Sequence, residues 1–149
     1  MKEGSIRPLV ICIFRQGDTI LVAEGYDPVK KEHFYRPIGG GIEFGESSEE
    51  ALIREMKEEL GADVTELTYL GTLENIFTFN GRTGHEIVRV YDASFIDDLF
   101  NTKESFEGIE DNGHVFKVLR LPIQTFRTGR KRLVPENLLD LLSANRNDR

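Results

Sequence analysis

Gly40-Gly41-Ile42-Glu43-Phe44-Gly45-Glu46-Ser47-Ser48-Glu49-Glu50-Ala51-Leu52-Ile53-Arg54-Glu55-Met56-Lys57-Glu58-Glu59-Leu60-Gly61-Ala62 decides how the chain is read. Ser47-Ser48-Glu49-Glu50 has the form of a capping box, with Ser47 as N-cap and Glu50 three residues on. Gly61 stands where a left-handed C-terminal cap belongs. The spacing predicts a helix from about Ser48 to Leu60. At about 100° per residue from Leu52, the apolar Met56, Leu60 and Ile53 fall between about 0° and 100°. Lys57, Glu50 and Arg54 fall on the solvated back, at about 140–200°. Glu58, Glu55 and Glu59 form one stripe, at about 240°, 300° and 340°, bordering the apolar arc. A charge run is usually a solvated face. Here the three acids are i, i+3, i+4 neighbours, and each like-charge pair opposes the helix by roughly 0.2–0.5 kcal/mol. Glu58 and Glu59 also lie in the last turn, where the helix dipole disfavours anions. Clustered oxygen donors beside a glycine run suit a hard divalent cation, which reverses the local electrostatics.

The same segment resembles the Nudix box, G-x5-E-x7-R-E-U-x-E-E-x-G-U, where U is a bulky apolar residue. Gly40, Glu46, Arg54-Glu55, Met56, Glu58-Glu59 and Gly61 meet its fixed positions, and only Ala62 is smaller than usual. The resemblance implies an α/β fold, the Nudix-type α/β/α sandwich with a mixed β-sheet. It implies hydrolysis of the pyrophosphate linkage of a nucleoside diphosphate derivative, by water attack at phosphorus with Mg²⁺ or Mn²⁺ as cofactor. By the match, Glu55, Glu58, Glu59 and the Gly39 carbonyl hold metal, and Glu55 or Glu58 is the catalytic base. Gly40, Glu46, Arg54 and Gly61 are the structural residues of the motif, with Arg54 reaching back to hold the loop and orient a glutamate. The glycines are expected to form a loop with positive φ. A carboxylate outside the box completes the metal site in many relatives. Glu104, Glu107, Glu110 and Glu86 are candidates, and Glu110 is preferred because it precedes a turn and a strand. Many relatives carry Pro-Gly-Gly before the box, whereas this chain has Pro37-Ile38-Gly39-Gly40. The proline that follows the box in many ADP-ribose cleavers is absent; Ile76-Phe77-Thr78 stands there. A triphosphate-cleaving enzyme and a non-catalytic nucleotide sensor are the alternatives.

Outward from the box, residues 6–15 read as a buried strand and Thr19 to Ala23 as its hairpin partner across Gln16-Gly17-Asp18. Residues 34–38 are extended. Strands are expected over 64–80, 86–95 and 114–121, with a polar loop at 97–104. Pro135 is placed at the first position of a last helix, near 136–144. Residues 145–149 are expected to fray.

The 149 residues fit a single domain with a self-sufficient core. Nineteen Lys and Arg against 26 Asp and Glu leave a formal charge of −7, unsuited to nonspecific binding of duplex nucleic acid. No apolar run approaches a membrane span, and no signal core follows Met1-Lys2-Glu3-Gly4-Ser5. The single cysteine, Cys12, reads as a core residue, and a cytoplasmic setting is expected. A small nucleotide is the expected partner, with no membrane and a possible homodimer. Arg36 is a candidate phosphate contact, against a plain surface role, and Tyr35, Phe77 and Phe79 are candidates to stack on a base, although at strand spacing such residues are more often core. Glu86, opening a strand with His85, is a further substrate contact. Arg127, Arg130, Lys131 and Arg132 read as a solvated loop, and His33, His85 and His114 as non-catalytic.

Overall fold

The computed structural model describes residues 4–144, and the tail expected to fray from 145 lies outside the described residues. Strand β1 (Ile6–Ile13) lies inside the sheet, between two other strands. Residues 9–13 are all buried, because helices cover both faces. Leu9, Ile11 and Ile13 point into one core, and Val10 and Cys12 into the other. Burial pushes the Cys12 thiol well up, consistent with a packing role.

The further strands are β2 (Arg15–Gln16), β3 (Thr19–Asp27), β4 (Glu32–Gly41), β5 (Val64–Phe79), β6 (Arg82–Phe95), β7 (Ser105–Ile109) and β8 (Val115–Pro122). They form a mixed sheet in the order β5-β6-β1-β4-β3-β8-β7, with β2 paired to β3. The β1–β6 pair is parallel and the others antiparallel. Helix α1 (Ser48–Leu60) covers one face through Ala51, Leu52 and Met56. Short helices α3 (Ile123–Arg127) and α4 (Leu138–Ala144) cover the other through Ile123, Phe126, Leu138 and Leu142. The fold is thus the expected α/β/α sandwich. Helix α2 (Asp98–Thr102) lies between β6 and β7.

One strand joins the two parts of the sheet beside the cleft. Residues 32–37 of β4 pair with β3, whereas residues 38–41 pair with β1. Pro37, which has no N–H to give a ladder, stands at that switch. The β5–β6 hairpin closes the far side. Its tip is tied to the β3–β4 turn by Asn80 N–H to Asp27 Oδ2 (3.3 Å) and Lys30 Nζ to the Thr78 carbonyl (2.9 Å). Burial works against the charge on Asp27, but the backbone N–H groups of Lys30, Asn80 and Val29 outweigh it and lower its pKa.

Several expectations are corrected. Gly39, Gly40 and Gly41 are extended residues of β4, not a positive-φ loop. They are small for contact: a Cβ on Gly39 would lie 1.9 Å from the Val10 carbonyl oxygen. The positive φ falls instead at Gly45 and at the Gly61 cap. Polar residues 97–104 contain α2, capped by the Asp97 carboxylate. The last helix begins at Leu138, not beside Pro135, which follows a cis peptide bond and whose carbonyl accepts from Leu138 N–H. β7 and α3 were outside the sequence reading.

Gly39→Ala is expected to destabilise the protein by about 3 kcal/mol, because backbone must move. Gly45→Ala, strained but with open space around it, is expected to lose about 1 kcal/mol. Urea midpoints at constant m would show the difference, and equal losses would contradict the packing role.

Candidate active site

Helix α1 is fixed at both ends before it presents any side chain. The Ser47 side chain accepts from Glu50 N–H and the Glu50 carboxylate from Ser47 N–H, completing the capping box. Gly61 closes the other end at φ 66°, its N–H reaching the Lys57 carbonyl. Leu52 and Met56 are fully buried, which sets the rotation of the helix. Ile53, at the margin of the apolar arc, remains exposed.

That rotation carries Glu55 into the interior, where its side chain is 8% exposed. It lies directly over β4: a Cβ on Gly40 would fall 2.3 Å from Glu55 Cδ. Glu59 is half-buried one turn on, and Glu58 is exposed. Burial first, then a hydrogen bond with Glu55 and the charges of Glu55, Glu110 and Asp111, push the Glu59 carboxyl up to about 8. Two carboxylates this close do not both ionise without a compensating charge.

Arg54 supplies part of that charge. Its Nε and Nη2 bind Glu46 in bidentate fashion at 2.7 and 2.8 Å. Nη2 also reaches the Gly41 carbonyl (3.0 Å), and Nη1 reaches Glu55 (2.9 Å) and Glu58 (3.3 Å). The helical projection put Arg54 on the solvated back, yet its side chain is only 23% exposed. A long side chain is not confined to the direction of its Cβ. The hydrogen bond from Arg54 holds the Glu46 carboxyl down at about 2, and Glu46 in turn raises Arg54. The acidic stripe is therefore not wholly self-repelling. Among the described residues, no three His, Cys, Asp or Glu side chains converge into a ready-made ion cage.

Beside this stripe opens a cleft of about 830 Å³, lined by Gly39, Gly40, Gly41, Glu55, Glu59, Arg36, Glu86, Phe77, Phe79 and Glu110, among others. Arg36 and Glu86 face each other at 3.9 Å. Glu86 is 3% exposed and receives Asn75 Nδ2 at 3.4 Å. Burial lowers the Arg36 pKa against the opposing pull of Glu86, with Arg7 lowering it further and Glu59 and Glu110 raising it. Glu110 is exposed at the end of β7, while Phe77 is half-buried against Gly84 of β6. Phe79 meets Phe34 edge to face, with centroids 5.8 Å apart.

Tyr35 is the predicted contact the structure keeps away from the cleft. It is 4% exposed in the core beneath α3 and α4, near Phe126, with its hydroxyl on Glu24. Adjacent strand residues point to opposite faces, so Arg36 and Tyr35 cannot share one. The basic run is also corrected in part. Arg132 lines the cleft and is clamped between Glu32 and Glu136, and Lys131 lies over the Tyr35 ring. Arg7 lines the cleft too and was missed. In the sequence it is one polar residue in an apolar strand, and only its exposure at the strand's start hints at a role.

The family description "NUDIX domain" matches residues 6–136. The chain belongs to the Nudix family. This Nudix chain is 39% identical over 67 residues to the NAD-capped RNA hydrolase NudC of Vibrio atlanticus (strain LGP32), covering 45% of this chain and 24% of that protein. It spans about a quarter of the length of the curated relatives it matches. Among solved structures, a Nudix hydrolase from Nitrosomonas europaea matches at TM-score 0.64 and 16% identity, over 95% of this chain and 88% of that one. A MutT Nudix hydrolase from Burkholderia pseudomallei matches at TM-score 0.51 and 26% identity, over 62% and 70% of the two chains. Among the described residues, no helix is long and apolar enough to cross a membrane.

The depressed Glu46 carboxyl stabilises the fold at neutral pH and above its ordinary pKa, and that contribution is lost as pH falls from about 4.5 towards about 2. Denaturant melts of wild type and Glu46→Gln should differ by a constant amount above about pH 5 and converge in acid. Glu59 has the opposite sign: its raised carboxyl makes the metal-free protein lose stability as pH rises from about 4.5 to about 8. Glu59→Gln should therefore be more stable than wild type at pH 8 in chelator, with the gap closing towards pH 4.5. A gap that widens in acid would contradict the shared-carboxyl geometry.

Proposed function

We propose that the protein hydrolyses the pyrophosphate linkage of a nucleoside diphosphate derivative, using a divalent metal. The observation that carries this reading is the Glu55–Glu59 pair, packed over Gly40 on a wall of a cleft that also holds Arg36. Nudix hydrolases generally use divalent metals. The donor set is oxygen-only, as Mg²⁺ or Mn²⁺ prefers. A half-buried carboxyl raised by burial and by acidic neighbours is also the setting a cation relieves. Glu55, Glu58 and Glu59 would hold the metal, with the Gly39 carbonyl and Glu110 completing the set. When bound, the metal screens phosphate charge and lowers the pKa of water.

The chain's own residues have separate tasks. Glu55 or Glu58 takes the proton of the attacking water. Arg54 holds both acids, and through Glu46 and the Gly41 carbonyl it fixes α1 against β4. Arg36 neutralises substrate phosphate, with Glu86 as its counter-charge within the protein. Phe77 and Phe79 offer ring faces or edges to a base. The substrate proposed first is a diphosphate joining a nucleoside to a second group. The local likeness to proteins named NAD-capped RNA hydrolases favours a diphosphate between two nucleosides as a second reading. A capped single-stranded end is not a duplex, so the charge argument against duplex binding does not reach it.

The test is a panel of nucleoside triphosphates, nucleotide sugars and dinucleotides with Mg²⁺, followed by release of nucleoside monophosphate. Turnover should vanish in chelator, and Glu55→Gln and Glu58→Gln should each lose about 10²–10⁴-fold. Full activity in both variants would reject the assigned site. No turnover of any panel member would favour a sensor that binds nucleotide without cleaving it.

A further inference from the structure

The arginines that are not exposed divide into two kinds. Arg54 contacts Glu46, Glu55, Glu58 and Gly41. Arg132 binds Glu32 and Glu136. Arg89 donates to Ser48 and Thr72 and lies over the Tyr69 ring. Arg120 donates to the Phe100 and Lys103 carbonyls. Arg15 reaches the Gly17 carbonyl. Arg7 and Arg36 differ from all of these, because neither donates a hydrogen bond to any described residue. Arg36 has only the 3.9 Å ion pair to Glu86, which is longer than a hydrogen bond.

Both line the same cleft, near enough for the charge of Arg7 to bear on Arg36. A guanidinium carries five N–H donors, so both side chains hold donors not taken by any described residue and available to an oxygen-rich ligand. Two like charges on one cleft wall add repulsion. Their setting permits an approaching ligand: Gly41 has no side chain, and a Cβ there would already lie 3.4 Å from Arg7 Nη2. The backbone register sets Arg7 of β1 opposite Glu86 of β6, the residue that pairs with Arg36.

We propose that Arg7 and Arg36 form a two-guanidinium clamp for the diphosphate of the ligand, with Arg7 setting the preference for diphosphates over monophosphates. The proposal deepens the function given above and rests on it for the identity of the ligand. The clamp itself is built from cations alone. Two planar forks match the oxygens of two linked phosphates better than those of one.

The probe is inorganic pyrophosphate, titrated by calorimetry into the full chain in chelator, with inorganic phosphate as the comparison. Wild type should bind pyrophosphate more tightly than phosphate. Arg7→Gln should weaken pyrophosphate binding about tenfold while changing phosphate binding less. Arg7→Lys, which keeps the charge, should recover part of the loss, and circular dichroism should show both variants folded. Pyrophosphate binding equal in wild type and Arg7→Gln, or absent in wild type, would overturn the clamp. If the panel shows no turnover while pyrophosphate binding depends on Arg7, the hydrolytic reading fails and the clamp stands.

Discussion

The guanidinium of Arg54 is the contact on which the site depends. It sits one residue before Glu55 on α1 and reaches across to Glu46, the Gly41 carbonyl and Glu58. These partners belong to the end of β4, the connection to α1 and two turns of the helix. One side chain therefore fixes how the helix sits on the strand, a task apolar packing alone does less specifically. The charge-assisted, bidentate geometry to Glu46 gives that fixation direction as well as strength. It also changes the electrostatics of the acidic stripe. Glu55 and Glu58 share a cation of the protein's own, and the residual conflict falls on Glu59, whose neighbours are Glu55, Glu110 and Asp111.

The second constraint is the change of partner along β4. β4 pairs with β3 as far as Pro37 and with β1 from Ile38, on its opposite edge, and the glycines that follow the switch line the cleft. The glycines are needed for proximity, not for unusual dihedrals. Gly39 lets β1 and β4 approach, Gly40 admits the Glu55 carboxylate, and Gly41 leaves room for Arg7. A side chain at any of the three would fill what the fold keeps open.

This division explains what was legible in the sequence. The box, the helix with both caps and the buried character of β1 are encoded over short spans, by spacing and periodicity. Each was readable without knowing what packed where. The α/β/α layering followed from the resemblance and is what the fold shows. Tyr35 takes the core role that strand spacing favours over a base contact, because one-residue alternation along β4 decides its face, and that parity depends on the partner strands. Arg54 was placed on solvent because a projection of Cβ directions ignores the reach of a long side chain. Arg7 and Arg132 were unreadable as cleft residues because the change of partner along β4 and the return of the chain after α3 bring them there. Helix α2 was hidden in a polar segment whose apolar members, Leu99 and Phe100, are too few to show a period.

Arg54 and Arg36 illustrate how one residue type serves two ends within one cleft region. Arg54 has its donors occupied by carboxylates and a carbonyl, so it has little left to offer a ligand and holds the frame. Arg36 is kept near Glu86, but beyond hydrogen-bonding distance, and its charge is felt by Glu59 and Glu110 on the acidic side. A bidentate pair with Glu86 would have been stronger, and would have taken the donors a phosphate needs. The looser ion pair keeps the guanidinium oriented while leaving its hydrogen bonds available. Arg7 likewise donates to no described residue, and the cleft is lined both by these cations and by acidic oxygens. A metal-bound diphosphate bears the matching charges: a cation for the glutamates and phosphate oxygens for the arginines. That match of charges is the physical reason the proposed function puts the substrate in this cleft.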